Sequence, residues 1–149
     1  MVTLTKSTKP QKEADIKRSW HLIDLKGKVL GRAAVSIAGL IQGKHKTARS
    51  FHFDGGDYVV AINAKDIVMT GRKLSDKVYT RYSGYPGGLR TNTAGEILSK
   101  NPKELVRHAV SGMLPKNKLR KPRLTRLFIF PDAKHPYEEK LASKGEVKK

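Results

Sequence analysis

The sequence of 149 residues contains no cysteine and only 13 acidic residues. The absence of cysteine excludes disulfides and cysteine metal sites, and it is typical of proteins kept in a reducing compartment. No apolar run approaches the length of a transmembrane helix, and the first residues lack the apolar core of a signal peptide. Hydrophobic residues make up 38% of the chain, which is low for a globular protein but too high for full disorder. Length and composition together predict one domain with its own core.

The scarcity of acids leaves a large positive charge. The 31 Lys and Arg residues give a net charge of +18 and a pI near 10.3. Self-repulsion of this size opposes a compact isolated state, so a polyanionic partner is expected, and nucleic acid is the commonest one. Binding to a membrane surface would need a basic helix with a broad apolar face, and the sequence contains none. The charge therefore predicts nucleic acid as the partner, with no membrane and no small-molecule substrate.

Apolar periodicity and turn signals predict an α/β order of elements. The run YVVAI at 58–62 is continuous and β-branched, which is typical of a strand buried on both faces of a parallel sheet. Apolar spacing predicts a helix from about Gly31 to Gln42, capped by Gly43. The order indicates a small, mostly parallel sheet with helices on both faces. Further elements are predicted as strands at 20–24, 67–70 and 127–130, a strand or ribbon at 78–82, and helices starting at Thr93 and Asn101.

The distribution of polar residues predicts three parts. Residues 1–18 are basic and show no apolar period, so we expect an N-terminal extension that is mobile unless a partner orders it. Residues 19–133 form the single α/β domain. Residues 134–149 are polar and charged, so we expect a flexible C-terminal arm that adds no element to the fold.

Motifs of enzymes are lacking. The segment GKVLGR at 27–32 has the wrong spacing for a phosphate-binding loop, and no G-x-G-x-x-G follows the first strand. No serine lies in a G-x-S-x-G context. His52, Asp54 and Asp57 are conceivable ligands of a metal ion, but a turn beside an exposed histidine explains them better. We therefore predict no catalytic residue, no metal and no cofactor.

Three basic clusters lie in connections between predicted elements, which favours binding to RNA or DNA. The third cluster follows Pro115 and is held between a helix ending near Met113 and the strand at 127–130. It is therefore predicted to be the strongest contact. Tyrosines in the turn that follows the second cluster are suited to stacking on unpaired bases, and its glycines allow a close approach of phosphate. The first basic cluster comprises Lys44, His45, Lys46 and Arg49; the second Arg72, Lys73, Lys77 and Arg81; the third Lys116, Lys118, Arg120, Lys121, Arg123 and Arg126; and the tyrosine–glycine turn Tyr82, Gly84, Tyr85, Gly87 and Gly88.

Several segments resemble a known family when taken in order. They are WHLIDLKGKVLGRAA, IQGKHK, GDYVVAINAKDIVMTGRK, DKVYTRYSGYPGG, and RHAVSGMLPKNKL followed by LFIF. From Trp20 to about Tyr137 the chain resembles the thirteenth large-subunit ribosomal protein in its bacterial or organellar form. The resemblance implies a three-layer α/β/α fold, here with a four-stranded sheet, basic loops and flexible termini. RNA-contacting regions of the family match 43–46, 71–77, 82–88 and 113–120 of this sequence.

The same resemblance implies a function. It implies a structural constituent of the large ribosomal subunit that binds large-subunit ribosomal RNA and neighbouring ribosomal proteins. It also implies an early role in subunit assembly, a location on the ribosome in the cytoplasm or an organelle, and no enzymatic activity. This chain departs from the family in having no glycine between Gly112 and Gly145, and in its longer N-terminal extension.

Two other classes of function compete with this interpretation. An RNA-modifying or nucleotide-dependent enzyme on a Rossmann-like sheet would need a cofactor fingerprint or a poised acid–base pair, and the sequence shows neither. A regulatory RNA binder acting outside the ribosome would share the basic clusters. Co-sedimentation with large subunits in high salt distinguishes these classes, because a stable subunit component stays bound.

Overall fold

A parallel sheet of three strands lies at the centre of the computed structural model, which describes residues 16–47, 49–50 and 52–142. Its strands are β1 (Trp20–Asp24), β2 (Tyr58–Ile62) and β5 (Leu127–Ile129), in the order β1-β2-β5. The β-branched run in β2 occupies the centre, where both faces and both edges are covered. The predicted α/β class with a mostly parallel sheet is confirmed.

The predicted fourth strand does not join this sheet. The segment 67–70 makes one isolated parallel bridge, between Val68 and Val29. The Val68 N–H donates to the carbonyl of Lys28 at 3.0 Å, and the Leu30 N–H donates to the carbonyl of Val68 at 2.9 Å. Because these hydrogen bonds are made to the turn before the first helix, the segment does not pair with a sheet strand. Within the described part of the chain, the central sheet therefore has three strands and not four.

Helices cover one face of the sheet. Helix α1 (Leu30–Gln42) buries Ala34, Ile37 and Ile41 and ends at Gly43, whose φ of +71° is the predicted left-handed cap. Helix α4 (Pro102–Met113) packs against α1 and buries Leu105, Val106 and Val110. Helix α3 (Ala94–Lys100) begins with the predicted capping box of Thr93 and Glu96. Met113, the last residue of α4, is 38% exposed, so the buried face of this helix ends at Val110.

Aromatic side chains and the C-terminal arm cover the opposite face. Trp20 stacks on Tyr58 at 4.5 Å between ring centroids and on Tyr137 at 5.2 Å, and Phe128 packs beside them. Tyr137 is followed by a short helix, α6 (Glu138–Ala142). The expectation that the chain from Ala133 adds nothing to the fold is therefore wrong as far as Ala142, because one aromatic ring anchors the polar arm. The predictions for 1–15 and 143–149 lie outside the described residues.

A separate antiparallel ribbon extends the molecule. It consists of β3 (Val78–Tyr82) and β4 (Leu89–Thr93), preceded by the single-turn helix α2 (Lys73–Asp76). The sequence predicted a strand or ribbon at β3 but not its partner β4. Among the residues that the structure describes, no helix has both the length and the apolar character needed to cross a membrane.

Candidate nucleic-acid interface

The segment after Pro115 contains a helix where a loop was predicted. Helix α5 spans Arg120–Thr125 and carries most of the third basic cluster. Pro122 is the third residue of α5. The N–H groups in the first turn of a helix have no partner within the helix, so the N–H that proline lacks removes no hydrogen bond there. The expectation of an irregular loop is therefore wrong for residues 120–125.

Two arginines of the third cluster point inward. Arg123 and Arg126 are only 5% and 6% exposed, and both bind the carboxylate of Asp54. Nη2 of Arg126 donates to Oδ1 of Asp54 at 2.6 Å and to the carbonyl of Ile41 at 3.3 Å, while Nε of Arg123 donates to Oδ1 at 3.3 Å. These contacts join α5 to the end of α1. Burial opposes ionisation of Asp54, but the two arginines outweigh it and hold the pKa of this carboxyl below its usual value.

The remaining cations of the third cluster divide by exposure. Arg120 is half-buried, and its Nη2 donates to Oγ of Ser111 on α4 at 2.6 Å. Leu114, which follows α4 directly, is 2% exposed and fixes the start of the segment. The segment is therefore anchored at both ends, as predicted. Its fully exposed cations are Lys116, Lys118 and Lys121.

The first basic cluster surrounds a buried carboxylate. Asp57 is 0% exposed, and its Oδ2 lies 2.9 Å from Nε2 of both His21 and His45. Its Oδ1 accepts hydrogen bonds from the backbone N–H of Ser19 and from Nζ of Lys46. Burial alone would raise the pKa of Asp57, but the hydrogen bonds from His21, Lys46 and Ser19 hold it well below its usual value. His45 and Lys46 are thus oriented by a buried carboxylate, and Lys44, His45 and Arg49 are exposed.

A short turn supplies both organising acids. In residues 54–57 the Cα of Gly56 lies so close to α1 that a Cβ there would be 1.6 Å from the carbonyl oxygen of Ile41. Only glycine fits, and this close approach places Asp54 beside α5 and Asp57 beside the first cluster. The sequence predicted the turn but not this role, because the partners of Asp54 lie 69 and 72 residues away.

The metal ligands considered from the sequence do not meet. Asp54 binds arginines, and Asp57 binds His21 and His45. Nδ1 of His52 instead forms a hydrogen bond of 2.7 Å with Oγ of Ser50. The set of His52, Asp54 and Asp57 is therefore not a site in this structure.

The second basic cluster lies on and before the ribbon, and all four of its cations, Arg72, Lys73, Lys77 and Arg81, are exposed. Arg81 is directly opposite Arg90 across the two strands, and Arg90 is exposed as well. Sequence reasoning missed Arg90 because β4 was not predicted. The signal available was the glycine-rich turn itself, since a turn between strands requires a second strand of alternating residues after it.

The tyrosine–glycine turn forms the tip of the ribbon. Tyr82 and Tyr85 are 62% and 77% exposed. Gly84 and Gly87 have φ values of +94° and +73°, which glycine adopts without strain. The N–H of Gly88 is already used, because it donates to the carbonyl of Tyr85 at 2.9 Å. The tip therefore presents two exposed tyrosine rings, on a turn held by its own hydrogen bonds.

Helix α4 connects the elements that carry the three clusters. Its His108 packs on Tyr79 of the ribbon at 5.5 Å between ring centroids, its Ser111 binds Arg120, and its buried face packs on α1. The arrangement defines a basic α/β protein whose cationic segments are attached, directly or through α1, to the same helix.

Comparisons with known proteins identify the family. The family model described as Ribosomal protein L13 matches residues 18–136. The large ribosomal subunit protein uL13 of Syntrophotalea carbinolica is 47% identical over 131 residues, covering 88% of this chain and 92% of that protein. The protein of the same name from Clostridioides difficile is 49% identical over 126 residues, which cover 85% of this chain and 88% of that protein. The one from Staphylococcus carnosus is 46% identical over 125 residues, which cover 84% of this chain and 86% of that protein. The chain belongs to the ribosomal protein L13 family, as its sequence motifs predicted.

Membership of this family gives the chain its class of function. It is a structural protein of the large ribosomal subunit and not an enzyme. Its partners are accordingly ribosomal RNA and ribosomal proteins, and its predicted location on the ribosome is confirmed. The alternative of an enzyme on a Rossmann-like sheet is not favoured.

Proposed function

We propose that this chain binds large-subunit ribosomal RNA through the exposed cations of its three basic clusters and through its ribbon, and that this binding supports early assembly of the subunit. The observation that carries the proposal is the pair Arg81 and Arg90, two exposed guanidinium groups directly opposite each other. Like charges in this position destabilise a ribbon. A phosphate group bound across them removes the repulsion, and arginine is suited to bidentate phosphate contact.

The cations divide into two roles under this proposal. Lys116, Lys118 and Lys121 are exposed on an anchored segment, so little backbone conformational entropy is lost when they meet phosphate. Arg123 and Arg126 are bound to Asp54 and support that segment from within. We therefore assign RNA contact to the exposed lysines and a positioning role to the two buried arginines.

The tip of the ribbon adds a contact of another kind. Tyr85 is 77% exposed and lies between two glycines of positive φ, so most of its side chain is accessible to solvent. A ring in this setting is suited to stacking on an unpaired base, which contributes about 1–3 kcal/mol per base. The ribbon is therefore assigned to an irregular or single-stranded element of the RNA and not to a regular duplex.

A matched pair of variants tests the proposal. Arg81→Gln/Arg90→Gln removes two charges from the ribbon, and Lys26→Gln/Lys134→Gln removes two exposed charges outside the clusters. Binding to large-subunit ribosomal RNA is measured over a range of salt concentrations. The ribbon variant is expected to bind more weakly, with a salt slope shallower by about 1, because the phosphate bound across the two arginines is no longer neutralised. Equal losses in both variants would show that only the net charge matters.

A second experiment tests stable incorporation into the subunit. The chain is expected to co-sediment with large subunits after washing in high salt, because a stable component of the subunit stays bound. A regulatory RNA binder that acts outside the ribosome would be released by the same wash, since its contacts are mainly electrostatic.

A further inference from the structure

Three side chains from separate parts of the chain converge on one point. His21 lies on β1, His45 follows α1, and Asp57 directly precedes β2. Nε2 of each histidine lies 2.9 Å from Oδ2 of Asp57, and the three atoms lie within 4.8 Å of one another. The two imidazole rings lie edge to face at 5.5 Å between centroids, and Nε2 of each is directed to the same carboxylate oxygen.

We infer that His21, His45 and Asp57 form a binding site for a divalent ion of the zinc class. Two imidazole nitrogens and one carboxylate oxygen match the ligand set of open zinc sites, in which a water completes the tetrahedron. Magnesium and calcium prefer oxygen ligands and do not match it. A tetrahedral ion with bonds of about 2.0–2.1 Å needs its ligand atoms roughly 3.3 Å apart. The two 2.9 Å contacts must lengthen slightly to admit an ion, and the two histidine nitrogens, which lie within 4.8 Å of each other, must stand at about the same separation.

The hydrogen-bond partners of Asp57 orient its carboxylate for binding an ion. Its Oδ1 is occupied by the N–H of Ser19 at 2.8 Å and by Nζ of Lys46, which fixes the plane of the carboxylate and directs Oδ2 toward the histidines. Hydrogen bonds of this kind to a ligating carboxylate orient it for an ion. The side chains of His21 and His45 are 32% and 38% exposed, so an ion and its water can enter from solvent. Asp57, at 0% exposure, closes the inner side.

The site adjoins the proposed RNA surface, because His45 belongs to the first basic cluster and lies next to the exposed Lys44 in the chain. Metal binding is therefore measured on the RNA-free chain. Nζ of Lys46 shares the carboxylate, and its positive charge opposes the ion. The affinity is therefore expected to be lower than that of a site without a neighbouring cation.

The test uses the full, untagged, RNA-free chain with Zn²⁺ as the probe in calorimetry and Co²⁺ as a spectroscopic probe. Variants His21→Gln and His45→Gln each remove one ligand. The control His108→Gln removes an exposed histidine of α4 that lies outside the site. Circular dichroism checks the fold of each variant, and His21→Gln alone suffices if His45→Gln fails to fold.

The expected result is one Zn²⁺ per chain in the parent and in the control, with at least about tenfold weaker binding in each ligand variant. Co²⁺ should give the intense visible absorption of tetrahedral coordination in the parent and lose it in His21→Gln. Absence of stoichiometric Zn²⁺ binding by the parent, or equal affinity in the parent, His21→Gln and the control, would overturn the inference.

Discussion

The substitution Asp54→Ala is expected to destabilise the protein more than the loss of any exposed acid. It leaves Arg123 and Arg126 buried at 5% and 6% exposure without their carboxylate. Removing one partner of a buried ion pair typically costs about 3–5 kcal/mol. Because Asp54 itself is 13% exposed and some water reaches the pair, we expect a value near the lower end, about 3 kcal/mol.

Urea unfolding of the RNA-free protein measures this effect. With a slope of about 1–3 kcal/mol per molar urea, the unfolding midpoint should fall by roughly 1–3 M. The matched control is Asp132→Ala, which breaks the ion pair with Lys65 between side chains that are 64% and 58% exposed. Exposed pairs contribute little, so the control midpoint should hardly move. Equal shifts in both variants would refute the idea that Asp54 anchors α5 to α1.

Three further predictions concern pH, packing and the ribbon. The pKa of Asp54 is lower in the folded protein than its unfolded-state value near 3.9, so its stabilisation is fully present above about pH 3.9 and is lost as the pH falls toward the folded-state pKa. The free energies of unfolding of the parent and of Asp54→Ala should therefore converge on acidification. A constant difference between them from pH 7 to pH 3 would contradict this. Gly56→Ala should lower the thermal midpoint more than Gly55→Ala. A Cβ at Gly56 would collide with the Ile41 carbonyl oxygen, whereas a Cβ at Gly55 meets nothing within 4 Å and Gly55 has no positive φ; equal losses would argue against the close approach. Tyr85→Ala should weaken RNA binding by about 1–3 kcal/mol in a filter-binding assay, whereas Tyr85→Phe should preserve the affinity. An RNA affinity unchanged by both substitutions would exclude stacking.

Local signals in the sequence predicted the elements that depend on local physics. Helix α1 and its cap at Gly43, the capping box at Thr93 and the buried run in β2 each follow from spacing within one element. The boundary of α5 could not be predicted in the same way. A proline in a basic connection favours a loop in the sequence. Pro122 is compatible with α5 only because it lies in the first turn of that helix.

Long-range pairing accounts for the rest of the site. Arg123 and Arg126 look like surface cations in the sequence, and their burial depends on a carboxylate about 70 residues away in the chain. Arg90 was missed because a strand rich in polar residues gives no apolar signal, and only its register opposite Arg81 reveals its role. The exposed lysines of the third cluster were predicted because charge in an anchored connection is visible locally.

The central claim is that docked cations, and not net charge alone, bind the ribosomal RNA. The most direct measurement compares Lys116→Gln/Lys118→Gln/Lys121→Gln with Lys26→Gln/Lys100→Gln/Lys134→Gln, since both variants lose three exposed charges and leave the core intact. Affinity for large-subunit ribosomal RNA is measured for each at several salt concentrations. The account predicts a much larger loss in the first variant, with a salt slope shallower by about 2 to 3, and little change in the second. Equal losses and equal slopes in the two variants would contradict it.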